Sequence, residues 1–419
     1  MSWRASFAPL RERNFAWYFG SRFVNTAGTM MASVALTFAV LDKIAPNSTT
    51  ALGQVLAART IPMVLFLLFG GVIADRLPRT LILQVSNLAS ACTQGIVAWL
   101  VLTGQADLWM VLVLEAVNGT VSSVSFPAMY SLLPQLVRRD QLQPANALIS
   151  LSRGSLTVLG PSISALLVVT VGAGWALAAD AASWLVAAVL LLPVRIRPRE
   201  PAEGPPERQP STMLAELREG WTVFRTTTWL WVIVLAFGFL NAISTGAIYT
   251  IGPQVAKETI GKQGWGFALS AESVGLLLVT IVLLRITMQR PLLFGMLFIA
   301  LDGLPMVLLG ATPQLALIIA AMFIAGIGSE VFNMGWNLAM QENIDEHMLS
   351  RASSYDALGS FVAMPVGQLL YGPLGELFGN RNVLVVSGFM FTAICLLTLT
   401  SAAVRGLPRK PAVQPAVVG

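Results

Sequence analysis

Twelve runs of about twenty apolar residues, separated by short polar turns, dominate this chain. They are roughly Phe15–Leu41, Leu52–Ile73, Leu81–Leu102, Leu108–Phe126, Ala147–Val169 and Trp175–Val194 in the first part. Trp229–Ile251, Trp265–Leu284, Leu292–Leu309, Leu315–Met334, Ser354–Phe378 and Val383–Val404 follow. A helix rises 1.5 Å per residue, so each run is long enough to cross a bilayer. Composition leaves no soluble alternative. Of 419 residues, 55% are hydrophobic and 11% charged, against roughly 25% charged in a soluble domain. The expected fold is an all-α membrane protein with 12 transmembrane helices.

The distribution of Lys and Arg sets the expected orientation. One set of run ends, with the central loop, carries 19 of them, including Arg4, Arg11, Arg76, Arg138, Arg197, Arg290 and Arg405. The opposite ends carry only Lys43, Lys257, Lys262 and Arg381. Basic residues concentrate on the cytoplasmic side, so both termini and the central loop are expected there, in the inner (plasma) membrane. The same topology accounts for the net charge of +5 and argues against nucleic acid as a partner. The first run is too long for a cleavable signal peptide. Cys92 and Cys395 both fall within apolar runs and are read as buried, inert thiols.

The expected domains are residues 1–194, a first six-helix bundle; 195–228, a cytoplasmic linker; and 229–419, a second bundle with a short tail. The linker begins with a Pro-, Glu- and Arg-rich stretch. Met213, Leu214, Leu217, Trp221 and Phe224 then recur at helical spacing after Ser211, a suitable N-cap. This segment either lies at the membrane interface or packs on the protein. The halves resemble each other at an offset of 207 residues, which pairs Gly119 with Gly326, Leu142 with Leu349, Ala145 with Ala352 and Gly160 with Gly367. Six spans per half give parallel, pseudo-symmetric repeats, for which solute sites lie at mid-membrane between the halves.

Ionisable residues inside a membrane are costly and are candidates for function. Arg59, Glu115, Asp180 and Glu272 lie at similar depth, about 10 Å from the far helix ends. Arg22 and Arg153 lie at similar depth from the basic side, with Glu330 and Asp356 on that side too. Attraction between these bases and acids is expected to close a cytoplasmic gate. Asp302 stands alone near mid-depth. A carboxylate in such a site can load and unload a proton, so Glu115, Asp180, Glu272, Asp302 and Glu330 are the proton-coupling candidates. The plainer reading of each is a structural contact. Asn25, Gln84, Asn87, Gln94, Asn118, Asn241, Asn333 and Asn337 are able to contact solute or to bond neighbouring helices. Phe126, Met129, Tyr130, Phe237, Tyr249, Phe332 and Trp336 either line an adaptable pocket or pack the core.

The turn after the second run reads Gly71-Val-Ile-Ala-Asp75-Arg76-Leu-Pro78-Arg79-Thr80. Gly71 permits close helix approach. Asp75 is suited to bonding a neighbouring helix N-terminus, and Arg76 and Arg79 hold the turn to the basic face. This pattern resembles the signature between the second and third helices of the major facilitator superfamily. Phe126-Pro127-Ala128, Leu133-Pro134-Gln135-Leu136-Val137 and Ala145-Asn146-Ala147-Leu148 are similar to the exporter branch that includes enterobactin and macrolide efflux proteins. Leu349–Ser360 resembles the matching segment of actinobacterial members. Gly160-Pro161 resembles the start of the antiporter signature, with Ser164 and Ala165 where two glycines are usual. Glu115-x-x-Asn118-Gly119 stands where drug antiporters often carry Arg-x-x-Gln-Gly.

The resemblance implies two six-helix bundles that alternate access to a central cavity. In this fold the fourth helix lines that cavity, which puts Glu115 first among the acids. The gating set is Gly71, Asp75, Arg76, Arg79, Arg22, Arg153 and Asp356; Asn25, Arg59, Asn118, Phe126, Tyr130, Phe237, Asn241, Asn333, Trp336 and Asn337 are the cavity set. The chain lacks a G-x-x-x-x-G-K-[ST] loop, and His347 is its one histidine, so neither direct ATP use, a cofactor nor enzyme catalysis is expected. The leading expectation is a monomeric, proton-coupled exporter of a drug-like or natural-product solute, with solute, protons and membrane lipid as its partners. A nutrient importer of the same fold and a non-transporting receptor or lipid-handling protein are the alternatives.

Overall fold

A computed structural model describes residues 7–138, 141–194, 221–283, 288–344 and 346–409. Its twelve membrane-length helices coincide with the twelve apolar runs. In the first half they are α1 (Arg13–Ala39, continued by a π-helical turn, Val40–Ile44), α2 (Thr49–Arg76), α3 (Arg79–Thr103), α4 (Leu108–Leu136), α5 (Leu142–Thr170) and α6 (Ala173–Leu191). In the second half, α7 joins Thr228–Ser244, a π-helical stretch Thr245–Ile251, and Gly252–Thr259. After α8 (Gly261–Leu283) comes α9, Pro291–Ile299 and Gly303–Ala311 about a 3-10 turn. Next are α10 (Leu315–Asn343), α11 (Glu346–Phe361 and Met364–Phe378) and α12 (Asn380–Thr398). Several helices outrun their apolar stretch: α4 continues past Phe126 and α10 past Met334.

The packing repeats. In the first half α2 packs on α4, α1 on α5 and α6, and α3 on α4 and α6; in the second α8 packs on α10, α7 on α11 and α12, and α9 on α10 and α12. Two contacts close the pair: α5 against α8 and α11 against α2. The sequence repeat marks equivalent seams. At Gly119 an added methyl would overlap the carbonyl oxygen of Arg59 on α2, and at Gly326 that of Glu272 on α8. Arg59 and Glu272 therefore occupy matching places, with opposite charge. The fold is two parallel, pseudo-symmetric six-helix bundles.

Large apolar side chains such as Trp99, Leu185 and Phe389 are more than half exposed, as expected where lipid replaces water. Cys92 corrects an expectation: Cys395 is buried, but Cys92 is exposed on α3. An apolar run does not distinguish a lipid-facing position from a core one. Residues 211–220 of the expected amphipathic helix lie outside the described residues. Its end does not: Trp221 and Phe224 each lie 5.8 Å, centroid to centroid, from the ring of Tyr355. This part packs on the protein.

Candidate functional site

The first half holds a buried polar cluster on four helices. Glu115 of α4 is fully buried. Gln94 Nε2 of α3 donates to Glu115 Oε1 at 3.1 Å, and Arg59 Nη1 of α2 stands 3.7 Å from Glu115 Oε2. One turn along α4, Asn118 Nδ2 donates to Thr93 Oγ1 at 3.5 Å. Asp180 of α6 is buried, within electrostatic reach of both Arg59 and Glu115, and its Oδ1 has no hydrogen-bond partner among the described residues. The Arg59 guanidinium thus pairs with one carboxylate and lies within electrostatic reach of the other. The sequence placed these three charges at one depth; the structure brings them together and adds Gln94, which the sequence offered only as a solute contact or a helix–helix bond.

Arg59 and Glu115 open onto a cavity of about 260 Å³ between the halves. Thr37 of α1, Val55 of α2, Tyr249 of α7 and Trp265 of α8 also line it. The π-helical segments of α1 and α7 flank this region, and such segments are frequent at functional sites because they re-aim side chains within a helix. Glu272 is half-buried and lies within electrostatic reach of Tyr249.

A second cavity, about 270 Å³, lies within the second half and is lined by Phe237, Asn241, Asp302, Asn333, Ser329 and Phe332, among others. Phe237, Asn241, Asp302 and Asn333 were sequence candidates. Asp302 is not alone: Ser329 Oγ donates to its Oδ2 at 2.6 Å. Asn241 Nδ2 donates to the Ser360 carbonyl oxygen at 3.1 Å. The Phe237 and Phe332 rings stack at 4.2 Å, and Trp336 continues the stack at 6.2 Å from Phe332. Asn333 and Asn337 are exposed, while Asn25 and Arg22 are half-buried on α1.

The expected cytoplasmic gate has a different arrangement in this conformation. Glu330 accepts from Thr280 Oγ1 at 3.1 Å. Asp356 accepts from Trp336 Nε1 at 3.0 Å and from Ser360 Oγ at 3.3 Å. Arg153 is exposed, and among the described residues no ion pair joins it to either acid. The side chains of Gly71, Asp75, Arg76, Phe126 and Tyr130 lie outside those described. Arg79 opens α3.

The described polar contacts that join the halves run from mid-depth to the face away from the ends of α1 and α12 where the chain begins and finishes. Ser273 Oγ donates to the Thr157 carbonyl oxygen at 3.2 Å, and Ser162 and Ser270 hydroxyls meet at 2.7 Å. At the far face Asp42, in the π-helical turn of α1, is gripped by Lys257 Nζ at 2.8 Å and by Lys262. Lys257 also donates to Asn47 Oδ1 at 2.9 Å and to the Leu41 carbonyl oxygen at 3.0 Å. Sequence reasoning missed Asp42, which lies one residue past the first apolar run. The available signal was that two of the four far-side bases are Lys257 and Lys262, close together after the seventh run.

The comparisons with known proteins agree with this architecture. The Major Facilitator Superfamily profile matches residues 18–367. The chain belongs to the Major Facilitator Superfamily and is a multi-pass membrane protein of the transporter class. It is 22% identical over 385 residues to an uncharacterized MFS-type transporter, YvqJ, of Bacillus subtilis, covering 90% of each chain. It is 24% identical over 403 residues to the enterobactin exporter EntS of Shigella boydii, covering 95% of this chain and 94% of that one. A crystal structure of the nucleoside transporter NupG superposes with a TM-score of 0.72 at 12% identity, covering 92% of this chain and 98% of the other.

Proposed function

We propose that this protein is a proton-coupled exporter of a drug-like or natural-product small molecule, working by alternating access. The observation that carries the reading is the Arg59–Glu115–Gln94 cluster, its carboxylate buried and its guanidinium partly exposed, at the edge of a cavity between the halves. A carboxylate there has two states, ion-paired to Arg59 or protonated. Exchange between them changes the charge presented to the cavity, which is what coupling a proton to a solute requires. The likeness to an enterobactin exporter supports outward transport. The excess of Lys and Arg at the ends of the spans where the chain begins and finishes supports a cytoplasmic location for both termini, in the inner membrane. Residues 1–194 and 229–419 then act as the two moving bodies, joined by 195–228. The Asp75 turn and its arginines are the cytoplasmic latch.

With that orientation the Asp42 clamp is the outer gate and the conformation faces inward. The clamp side chains are partly exposed, and ion pairs of that kind contribute about 0.2–1 kcal/mol each. Replacing Asp42 with Asn is expected to shift the inward–outward balance roughly fivefold toward outward-facing states, as about 1 kcal/mol implies. Accessibility labelling of a cysteine placed at Ser33, in the cavity wall, reads this from the outer side, in a background with Cys92 and Cys395 replaced. Unchanged labelling would remove Asp42 from the gate.

The solute is found by a resistance and accumulation screen across many compounds, in cells lacking and overexpressing the protein. Increased resistance with lower accumulation of one chemical class is the expected result. Growth dependence on a single nutrient, without any resistance phenotype, would overturn export.

A further inference from the structure

All three bases inside the predicted spans, Arg22, Arg59 and Arg153, belong to the first half. The spans of the second half carry Glu272, Asp302, Glu330, Asp356 and Glu376 and no Lys or Arg. Its interior is therefore electronegative, and its own cavity concentrates the effect. Among the described residues Asp302 is the one charged group that lines that cavity. Ser329 satisfies its Oδ2, while Oδ1 has no hydrogen-bond partner among the described residues. A carboxylate so placed needs a proton or a cation to complete it.

The remaining walls decide which kind of cation. Phe237 and Phe332 stack face to face at 4.2 Å, and Leu240, Ile299 and Phe391 add aliphatic and aromatic surface. Asn241, Ser244 and Asn333 supply a few neutral polar groups. A bare metal ion would leave the apolar wall unused. A ring or short apolar body bearing an ammonium uses both parts, because aromatic faces attract cations and apolar walls take the body. The cavity volume, about 270 Å³, suits one ring with its ammonium group rather than a large macrocycle.

We propose that the cavity among α7, α9, α10 and α12 is a binding site for small organic ammonium ions, with Asp302 as counter-ion and the Phe237–Phe332 stack as its aromatic wall. This places a cation site inside one half, apart from the cavity between the halves. It rests on the exporter reading only for the consequence that such ions are transported; binding is measurable without it.

The test uses the full-length protein in lipid nanodiscs and equilibrium dialysis of benzyltrimethylammonium, a permanent cation, against benzyl alcohol and benzoate. Saturable binding of the cation at least tenfold tighter than of either comparison compound is expected. Asp302→Asn is expected to weaken the cation at least tenfold. Phe332→Leu is expected to weaken it about threefold or more, and serves if the Asp302 variant does not elute as a single species. Glu115→Gln is expected to keep binding within twofold, so failed proton coupling and a failed cation site give different results. Equal binding of benzyl alcohol means that Asp302 holds only a proton, and overturns the proposal. Cation binding that survives both second-half variants but is lost in Glu115→Gln places the cation between the halves, and also overturns it.

Discussion

Replacing Glu115 with Gln is expected to abolish gradient-driven transport while leaving the protein folded and able to exchange solute across the membrane. Glutamine keeps the side-chain volume and can still meet Gln94 in the space that Glu115 fills. It neither carries a proton nor pairs with Arg59 as an anion. The loss is therefore of coupling. In proteoliposomes, solute accumulation driven by a pH gradient should fall to the level of empty vesicles. Counterflow, in which preloaded solute exchanges for labelled solute without a gradient, should persist. Asp180 sharpens the comparison. It shares the Arg59 field but has no direct ion pair among the described residues, so an Asp180→Asn variant that kept coupling would assign the proton to Glu115. Retained pH-driven accumulation in Glu115→Gln would take Glu115 out of the mechanism.

The second large effect is structural. Gly119→Val should leave little correctly folded protein. The α4 backbone approaches α2 so closely at Gly119 that a single methyl would overlap the Arg59 carbonyl oxygen. Backbone cannot turn aside as a flexible side chain does, so the helices must separate along the seam. Overpacking by even one methylene costs about 1–3 kcal/mol, and valine adds more. The same displacement moves Arg59 from Glu115. Fluorescence-detected size exclusion should show aggregated Gly119→Val protein. Gly119→Ala should give folded protein with a lower melting temperature and weakened transport. Gly326→Val should behave like Gly119→Val, because Gly326 meets the Glu272 carbonyl oxygen in the equivalent seam. Stable, active Gly119→Val protein would show that the seam opens without consequence.

Depth was legible in the sequence and azimuth was not. The rise per residue is fixed, so residue counts alone put Arg59, Glu115 and Asp180 in one layer; Arg59 and Glu115 do meet, and Asp180 lies within their electrostatic reach. These helices are apolar around most of their circumference, so periodicity does not reveal which side faces the partner helix. That is why an apolar run does not reveal that Cys92 faces outward, nor that Gln94 meets Glu115. Asp302 looks isolated in the sequence because its neighbour, Ser329, belongs to another helix and carries no charge. Asp42 escaped for another reason. The helix continues beyond Leu41 as a π-helical turn, which extends α1 past its apolar run and turns a residue read as loop into an interdomain contact. Among the described residues no ion pair joins Arg153 to Glu330 or Asp356: residue counts put these charges on one side of the membrane but do not put them against one another.

A proton gradient is expected to drive this protein to concentrate solute. The most direct test is uptake of a solute identified by the resistance screen into proteoliposomes containing the purified protein, with the lumen acidified and the membrane potential clamped. Accumulation above the external concentration that collapses when a protonophore is added, together with loss of luminal protons as solute enters, is the expected result. Solute that only equilibrates, at a rate indifferent to the pH gradient, would contradict it.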